Sequence, residues 1–413
     1  MRGPTSSKIA DSVFAPHPKA GPRGVAGSRD AMYPDAGSPD AGRRRMLLNA
    51  GALCLAGFGL AGCAGGRQGS PDASSRSATN AAARRDTAPP PLHAKPSAAP
   101  VPALRPGAKV AIVAPASAAS NASDLAAEWL EDRGFVPVVM PASRTRLDAP
   151  YEYLAGTDAQ RLDDLHAAFA APDIGAVWCL QGGFGSWRLL DKLDFELLRQ
   201  HPKPFIGYSD ITALHLAMQR HAGFVTFHGP MLAQDMVAGK REPTESHLLA
   251  MLGGQIGQGA WIQPPPDTRA VELIAGTASG RLVGGNLALI AALIGSRHEI
   301  DTRDAILFFE DVNEALPRVD RLLSQLAAAG KFEGVKGVVV GNFTRIIGTN
   351  LDDAQAQSLL YPLLIEQFGS RGIPVLAGWP SGHGEPNLTL PLGARVTLDT
   401  GRAGLRLDQA VTR

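Results

Sequence analysis

From Pro106 onward, short apolar runs alternate along the chain with stretches whose apolar residues recur every three or four positions. Short apolar runs bounded by turn residues are typical of buried strands, and the intervening stretches predict amphipathic helices. Thr157 and Asp158 supply an N-terminal cap for one of these helices. In this first region the pattern predicts strands at 109–114, 176–180, 204–208 and 225–228, and helices at 120–133, 158–170 and 211–221.

A less periodic stretch separates this region from a second one with the same kind of pattern. The stretch, 236–275, contains three consecutive prolines, Pro264 to Pro266, and is typical of a linker. Beyond it, the pattern predicts helices at 287–294, 319–329 and 354–368, strands at 305–310 and 335–340, and short strands between 373 and 407.

The alternation of strands and helices predicts an α/β fold with two domains. We expect an N-terminal domain with a doubly wound, mostly parallel sheet at 106–235 and a C-terminal mixed α/β domain at 276–413. With 413 residues, of which 45% are hydrophobic, the chain is long enough to build a sizeable core.

Charge and cysteine content exclude several kinds of protein. The formal net charge is +1, whereas domains whose main partner is nucleic acid usually carry a clear basic excess. The three cysteines, Cys54, Cys63 and Cys179, are too few for a disulfide scaffold and lack the spacing of a zinc site. No cluster of His, Asp and Glu has metal-ligand spacing in the sequence, so we expect no metal site.

Residues 1–63 are typical of an export leader. Arg43 and Arg44 precede a weakly apolar run that ends in the lipobox LAGC, whose last residue, Cys63, would receive a diacylglycerol on its thiol. The arginine pair indicates a twin-arginine signal, with the general export route as the alternative. A buried helix rich in Ala and Gly is the structural alternative to a leader.

The rest of the N-terminal region predicts no fold of its own. Because a signal normally begins near the N-terminus, Met32 is a candidate for the true start of translation. Residues 64–105 contain no aromatic residue and cannot bury enough apolar surface to offset their ordering entropy. We therefore expect a disordered tether between the leader and the folded part.

Ser209 stands where a predicted strand meets a predicted helix. A serine on such a sharp turn is exposed, and the helix N-terminus, including the N–H of Asp210, points backbone donors at it. This arrangement suits a nucleophile with a nearby oxyanion site. A plain helix N-cap is the alternative, because Ser and Asp both favour that position.

Other strands are followed by glycines and ionisable residues. The glycine-rich loop 182–185 would let a ligand approach the backbone, with an ordinary turn as the alternative. Glu310 and Asp311 end an apolar strand, where α/β active sites assemble, although a helix-leading acidic turn would look the same. His383 lies between two glycines and could act as a general base, with His228 as its rival.

Together, Ser209, Glu310 and His383 follow one another in the order nucleophile, acid and base. Each comes at the end of a predicted strand, where α/β active sites assemble, although a Ser-His-carboxylate triad is recognised by its geometry and not by sequence position. The sequence therefore favours a serine hydrolase.

Several motifs of the chain resemble the LD-carboxypeptidase family, the muramoyltetrapeptide carboxypeptidases of peptidoglycan recycling. They follow the family's order across essentially all of 106–405. They are LAGTDAQRLDDLHAAFA, GGFGSWRLLDKLDF, KPFIGYSDITALHLA, HGPML, GRLVGGNLALI, LFFEDV, RVDRLLSQL and SGHGEPNLTLPLG.

The resemblance implies a triad of Ser209, Glu310 and His383, with the backbone N–H groups of Gly183 and Asp210 as oxyanion donors. It also implies a homodimer and an enzyme that needs neither a metal nor an organic cofactor. The implied reaction removes the terminal D-alanine from a peptidoglycan-derived tetrapeptide through an acyl-enzyme.

Two other functions and two locations stay open at this point. A related branch, the microcin C self-immunity peptidases, cleaves aminoacyl-nucleotide analogues, and Trp187 could stack on a purine. A lipid-anchored peptidoglycan-binding protein without activity is the non-enzymatic alternative. The leader predicts an exported protein anchored through Cys63, facing the periplasm and sorted to the outer membrane, whereas a later start would leave a cytoplasmic enzyme.

Overall fold

Two β-sheets carry the described part of the chain. The structure, a computed structural model, describes residues 97–268 and 270–413. The strands are β1 (Lys109–Val113), β2 (Val136–Val139), β3 (Ile174–Cys179), β4 (Phe205–Gly207), β5 (Thr226–His228), β6 (Trp261–Ile262), β7 (Val271–Ile274), β8 (Thr277–Asn286), β9 (Ala305–Val312), β10 (Val335–Thr344), β11 (Val375–Ala377), β12 (Leu390–Leu392), β13 (Arg395–Asp399) and β14 (Gly404–Leu407).

Helices connect most of these strands. The α-helices are α1 (Ser123–Glu131), α2 (Asp158–Ala170), α3 (Phe195–Gln200), α4 (Thr212–His221), α5 (Thr244–Gly253), α6 (Leu287–Ala292), α7 (Leu316–Ala328), α8 (Asp353–Ser358) and α9 (Tyr361–Gly369). Short 3-10 segments lie at Ser120–Ala122, Pro141–Arg144, Ser186–Lys192 and Ser209–Ile211, and a π-helical turn lies at Leu232–Val237. Among the described residues, no helix combines the length and the apolar character needed to cross a membrane.

The smaller sheet has the strand order β12-β5-β4-β3-β1-β2. All neighbouring pairs from β5 to β2 are parallel, and β12 pairs antiparallel with β5. The chain runs outward from β1 to β2 in one direction and from β3 to β5 in the other. The loops after β1 and β3 therefore diverge, and the crevice between them is where doubly wound sheets bind ligands.

The larger sheet has the order β6-β14-β13-β8-β9-β10-β11-β7. Its central strands, β8 to β11, are parallel, and antiparallel strands extend both edges. The central strands are almost wholly buried, which explains why their sequences are continuous apolar runs. The predicted α/β class, with one mostly parallel sheet and one mixed sheet, is confirmed.

The predicted tether is wrong at its C-terminal end. Val101 is fully buried, and its N–H donates to the Val411 carbonyl at 3.2 Å. The Leu104 N–H donates to the Leu252 carbonyl at 2.9 Å, and Ala98 is also buried. These small apolar residues pack against segments that are distant in the chain, which composition cannot indicate. The leader, Cys63 and the tether up to residue 96 lie outside the described residues.

The predicted linker, 236–275, contains regular structure. It includes α5 and the strands β6 and β7, which pair at the two opposite edges of the larger sheet. Conversely, β12 belongs to the C-terminal half of the chain but pairs with β5 of the smaller sheet. Edge strands of two to four residues have too few positions for a periodic signal, so the linker prediction needs this correction.

The starts of helices α2 and α9 are explained by residues at the helix ends themselves. Thr157 forms the predicted cap of α2 as a complete capping box, in which its hydroxyl accepts from the Gln160 N–H and the Gln160 side chain accepts from the Thr157 N–H. The single helix predicted at 354–368 is instead two helices, α8 and α9. Pro362 occupies the first turn of α9, where its missing N–H is tolerated.

Candidate active site

The turn that carries Ser209 is strained. One residue, Tyr208, separates Ser209 from the end of β4, and Ser209 has φ +60°, a left-handed conformation that a residue with a Cβ rarely adopts. Holding such a residue costs about 1–3 kcal/mol, and strained residues of this kind cluster at functional sites. The turn leads through a 3-10 segment into α4, the strand-turn-helix arrangement of a nucleophile elbow.

Asp210 fixes this turn to the neighbouring loop. Its carboxylate Oδ2 accepts from the Ser186 N–H at 2.8 Å, and the Ser186 hydroxyl donates to the Asp210 carbonyl at 2.6 Å. Burial raises the pKa of the Asp210 carboxyl above its usual value. Asp210 is therefore tied down on both sides, which holds the neighbouring Ser209 in its strained conformation.

The glycine loop after β3 lies directly against Ser209. A Cβ on Gly182 would stand 3.0 Å from Ser209 Cβ and 3.2 Å from Ser209 Oγ, so only glycine allows this approach without displacement. Gly183 is exposed, has φ +100°, and its N–H donates to no other described residue. This donor is therefore available to a ligand beside the Ser209 hydroxyl.

Glu310 and His383 form a direct pair. Glu310 Oε2 lies 2.7 Å from His383 Nδ1, and the carboxylate, near the end of β9, is fully buried. Gly382 has φ +115°, and a Cβ there would come within 2.5 Å of Glu310 Oε2, so glycine is needed for the histidine loop to pass so close. A hydrogen bond from Nδ1–H leaves Nε2 as the basic nitrogen.

The structure places His383 against Tyr208, the residue that precedes Ser209. The buried Tyr208 ring lies with its centroid 4.9 Å from that of the His383 ring, and Ser209 is the next residue in the chain. The hydrogen bonds of the described residues do not include one between Ser209 Oγ and His383. Catalytic hydrogen bonds are often long in enzymes without substrate and tighten only in the complex.

The rival histidine, His228, has a different environment. It is fully buried at the end of β5, with its ring centroid 5.8 Å from that of Tyr208 and 4.9 Å from that of Phe308. Neither of its ring nitrogens has a hydrogen-bond partner within the described part of the chain. Burial lowers the pKa of His228 well below its usual value, so the ring is neutral and packs as an apolar group.

Asp311, the second carboxylate of β9, has a structural role. Its Oδ1 accepts from the Asn286 amide and the Val312 N–H at 2.9 and 2.8 Å, and its Oδ2 accepts from the Ala288 N–H at 2.9 Å. Burial, reinforced by the charge of Glu310, raises the pKa of Asp311 to about 7. Asp311 thus caps the start of α6, while Glu310 contacts the histidine.

Comparison with known proteins assigns the chain to a family. The LD-carboxypeptidase N-terminal domain matches residues 110–229, and the LD-carboxypeptidase C-terminal domain matches residues 279–398. The chain belongs to the LD-carboxypeptidase family. It is 36% identical over 311 residues to a probable murein peptide carboxypeptidase of Bacillus subtilis. The matched region covers 75% of this chain and 94% of that protein. The protein is therefore a serine-type carboxypeptidase.

Solved structures show the same architecture. The microcin C7 self immunity protein MccF superposes with a TM-score of 0.67 at 25% identity, over 77% of this chain and 100% of that one. A muramoyltetrapeptide carboxypeptidase from Oxalobacter formigenes superposes with a TM-score of 0.58 at 29% identity, over 72% of this chain and 97% of that one. The same fold thus occurs in a microcin self immunity protein and in a muramoyltetrapeptide carboxypeptidase.

Two residues that support the site of this LD-carboxypeptidase were not predicted from the sequence. The Ser117 hydroxyl, in the loop after β1, accepts from the Phe184 N–H at 3.0 Å and so supports the glycine loop. Arg161 is buried in α2 and donates to the carbonyls of Gly185, at 2.9 Å, and Pro115. The position of Arg161 in the sequence could have indicated its role, because it lies four residues before Leu165 and therefore on the apolar face of the predicted helix.

An ion pair between the partly buried Lys240 and the fully buried Asp235 links the nucleophile turn to the histidine loop. Lys240 Nζ lies 2.6 Å from Asp235 Oδ1 and donates to the Gly384 carbonyl at 3.1 Å. The Tyr208 hydroxyl donates to the same Asp235 oxygen at 3.1 Å. Lys240 therefore connects the residue before Ser209 to the residue after His383, although the two catalytic candidates come from different halves of the chain.

The two histidines should respond differently to removal. We expect His383→Ala to lower kcat by about 10⁴–10⁶-fold, because His383, unlike its rival His228, is paired with a carboxylate among the described residues. His228→Ala should retain most of kcat and instead lower thermal stability, since it leaves a cavity in the core. Steady-state kinetics and thermal unfolding of both variants give the ranking, and the opposite ranking would assign the base to His228.

Lys240 should act on kcat by positioning His383. Displacement of a catalytic group by about 1 Å can cost about 100-fold in rate, so we expect Lys240→Met to lower kcat by about 10–100-fold and to change KM less. Lys240→Arg, which keeps the charge, should recover part of kcat.

Arg241→Ala is the matched control for Lys240, because this neighbour is exposed and reaches the Glu385 carbonyl only at 3.5 Å. Unfolding measured alongside separates positioning from a loss of folded protein. A folded Lys240→Met enzyme with kcat within twofold of the wild type would contradict the positioning role.

Proposed function

We propose that this protein removes the terminal D-alanine from murein tetrapeptides as a serine LD-carboxypeptidase. The observation that carries the proposal is the 2.7 Å contact between Glu310 and His383, formed beside the strained Ser209 turn in a chain of this family. The relatives named for murein peptide and muramoyltetrapeptide hydrolysis support the substrate class.

In the first step, His383 Nε2 takes the proton of the Ser209 hydroxyl while Oγ attacks the carbonyl carbon that is bonded to the D-alanine nitrogen. The negative charge that develops on the carbonyl oxygen is stabilised by the N–H groups of Gly183 and Asp210. The imidazolium then gives its proton to the departing amine, so that D-alanine leaves and the tripeptide stays esterified to Ser209.

In the second step, water repeats this sequence on the ester. His383 takes a proton from the water, hydroxide attacks the acyl carbon, and the proton returns to Ser209 Oγ as the tripeptide leaves. The buried Glu310 carboxylate orients the imidazole and stabilises its charged form in both steps. Because low polarity strengthens such electrostatic interactions, the complete burial of Glu310 suits this role.

A murein tetrapeptide assay of the full-length protein tests the activity. The wild type should release D-alanine and leave the tripeptide, as read by mass spectrometry, and Ser209→Ala should lose about 10⁴–10⁶-fold in rate while its unfolding curve stays unchanged. A Ser209→Ala enzyme that keeps more than about a tenth of the activity would contradict the assignment of the nucleophile.

The likeness to MccF favours one second candidate, a peptidase for aminoacyl-nucleotide analogues. The same triad would cleave such a compound, so substrate binding and not chemistry separates the two functions. An aminoacyl sulfamoyl adenosine in the same assay distinguishes them by which substrate has the higher kcat/KM. A peptidoglycan-binding lipoprotein without activity would cleave neither compound.

We further propose that the enzyme is exported, anchored by lipid at Cys63 and faces the periplasm, and that it works as a homodimer. Arg43 and Arg44, the apolar run and the lipobox support the anchor, and the family resemblance supports the dimer. The residue after Cys63 is Ala64, not Asp, which favours the outer membrane. If residues 64–96 form a flexible tether, the enzyme could reach murein some tens of ångströms from the bilayer, at about 5–6 Å × √n for n residues.

Cell fractionation tests the location. Wild-type protein should sediment with membranes and carry lipid, whereas Cys63→Ala should be released into a soluble fraction because no acyl chain can be attached. If wild type and variant are both soluble and cytoplasmic, the lipoprotein proposal is wrong, while the assignment of the triad is unaffected.

A further inference from the structure

A buried arginine lies where α4 packs against β8. Arg281, in β8, is only 6% exposed, and its Nη2 donates to the carbonyls of Asp301 and Arg303 at 3.2 and 3.1 Å. Its Nε is buried and has no hydrogen-bond partner among the described residues. Burial disfavours the charged form and lowers the pKa of Arg281 below its usual value. Because an arginine in a protein stays charged, this buried cation needs a compensating group.

In the described part of the chain, no carboxylate forms an ion pair with Arg281. The acidic residues around it each pair with a different cation, and these pairs are Asp301–Arg303, Asp304–Arg395 and Glu299–Lys331, at 2.6, 3.0 and 2.9 Å. Arg395 also lies directly opposite Arg281 on β13, and like charges at opposite positions of two strands repel. Arg281 therefore carries a positive charge that the surrounding carboxylates leave without a direct partner.

A small cavity lies beside this arginine. It has a volume of about 20 Å³ and is bordered by α4, β8 and the loop 299–301. Gln219, in the last turn of α4, also lines the cavity, and its Nε2 is a second buried donor without a partner in the described structure. Leu216 and Val283 form apolar parts of the wall. Since one water molecule needs about 10–15 Å³, the cavity has room for a single atom or small molecule and is too small for sulfate or phosphate.

The polar groups of the cavity wall favour an anion over a water molecule. The two groups without partners, Arg281 Nε and Gln219 Nε2, are both N–H donors, and one of them is charged. The acceptors at the edge of the cavity are already engaged. The Glu299 carbonyl accepts from Arg220 at 2.9 Å, and the Asp301 carbonyl accepts from Arg281. A buried water typically makes about three hydrogen bonds and has two protons to donate, whereas a halide ion only accepts.

We propose that this cavity binds a monatomic halide ion, chloride under physiological conditions, held by Arg281 Nε and Gln219 Nε2. Near the nucleophile turn, the first turn of α4 is already joined to β8, because the Asn286 N–H donates to Thr212 Oγ1 at 2.9 Å. The ion joins the last turn of the same helix to the same strand. Gln219 lies seven residues, or about two helical turns, beyond Thr212, so the ion stabilises the packing of α4 without contacting the reacting groups. This site does not depend on the proposed function.

Thermal unfolding of the full-length protein tests the site. A ligand that binds only the folded state raises Tm with its concentration. We therefore expect Tm to be higher in sodium chloride than in sodium gluconate of the same ionic strength, because gluconate is too large for the cavity. Above the dissociation constant, each tenfold rise in chloride should add about 1–3 °C. Sodium bromide should act like chloride.

A substitution that supplies the missing negative charge separates this site from a general effect of salt. Gln219→Glu places a carboxylate beside Arg281, so Tm should no longer respond to the exchange of gluconate for chloride. Gln355→Glu makes the same change at an exposed position on α8 and should keep the wild-type response. Arg281→Met removes the cation and should also abolish the response, which covers the case in which Gln219→Glu does not fold. A chloride response in Gln219→Glu or Arg281→Met equal to that of the wild type would overturn the proposal.

Anomalous diffraction from crystals grown in bromide distinguishes an ion from a water molecule. We expect a bromide peak within hydrogen-bond distance of Arg281 Nε and Gln219 Nε2 in the wild type and none there in Gln219→Glu. A wild-type cavity that holds water and gives no anomalous peak in bromide would overturn the halide assignment. Neither measurement involves a substrate, so its result stands whether or not the protein hydrolyses murein tetrapeptides.

Discussion

The buried contact between Glu310 and His383 is the constraint on which the rest of the site depends. A carboxylate removed from water is costly unless a partner compensates it, and removing one member of a buried pair costs about 3–5 kcal/mol. Glu310 is fully buried, and its Oε1 has no hydrogen-bond partner among the described residues. The imidazole at 2.7 Å is therefore the main compensation for this carboxylate, so the folded chain must hold the histidine loop against β9.

The Glu310–His383 pair must also be aligned with Ser209, which comes from the other sheet. Ser209 follows β4 of the smaller sheet, whereas Glu310 lies in β9 of the larger sheet and His383 follows β11 of the same sheet. The Lys240–Asp235 pair, together with the contacts of Tyr208 and Gly384, fastens the two sides at the level of the reacting groups. Further along the same segments, the Asn387 N–H donates to Thr244 Oγ1 at 2.9 Å. The stretch predicted to be a linker thus contributes directly to aligning the site.

The sequence was sufficient for features that depend on neighbours in the chain. The apolar runs, the capping box at Thr157 and the turn at Ser209 are local, and they predicted the fold class and three residues that the structure draws to one region. Lys240, Arg161 and the packing of Ala98, Val101 and Leu104 were missed because their partners lie far away in the chain. A lysine looks the same in sequence whether it is solvated or paired with a buried aspartate, and only the three-dimensional contacts tell the two apart.

The adjacent carboxylates of β9 show a question that the local sequence pattern cannot answer, namely which of the two contacts the histidine. Successive residues of a strand point to opposite faces, so Glu310 and Asp311 were bound to have different surroundings, but the sequence does not say which one meets the base. The hydrogen bonds in the structure show which carboxylate has which role. Asp311 accepts three N–H donors and caps α6, and its pKa is raised to about 7 by burial and by the charge beside it. Because Asp311 is satisfied by backbone and amide donors, it has no need of the histidine, and Glu310 is left as the carboxylate that can orient it.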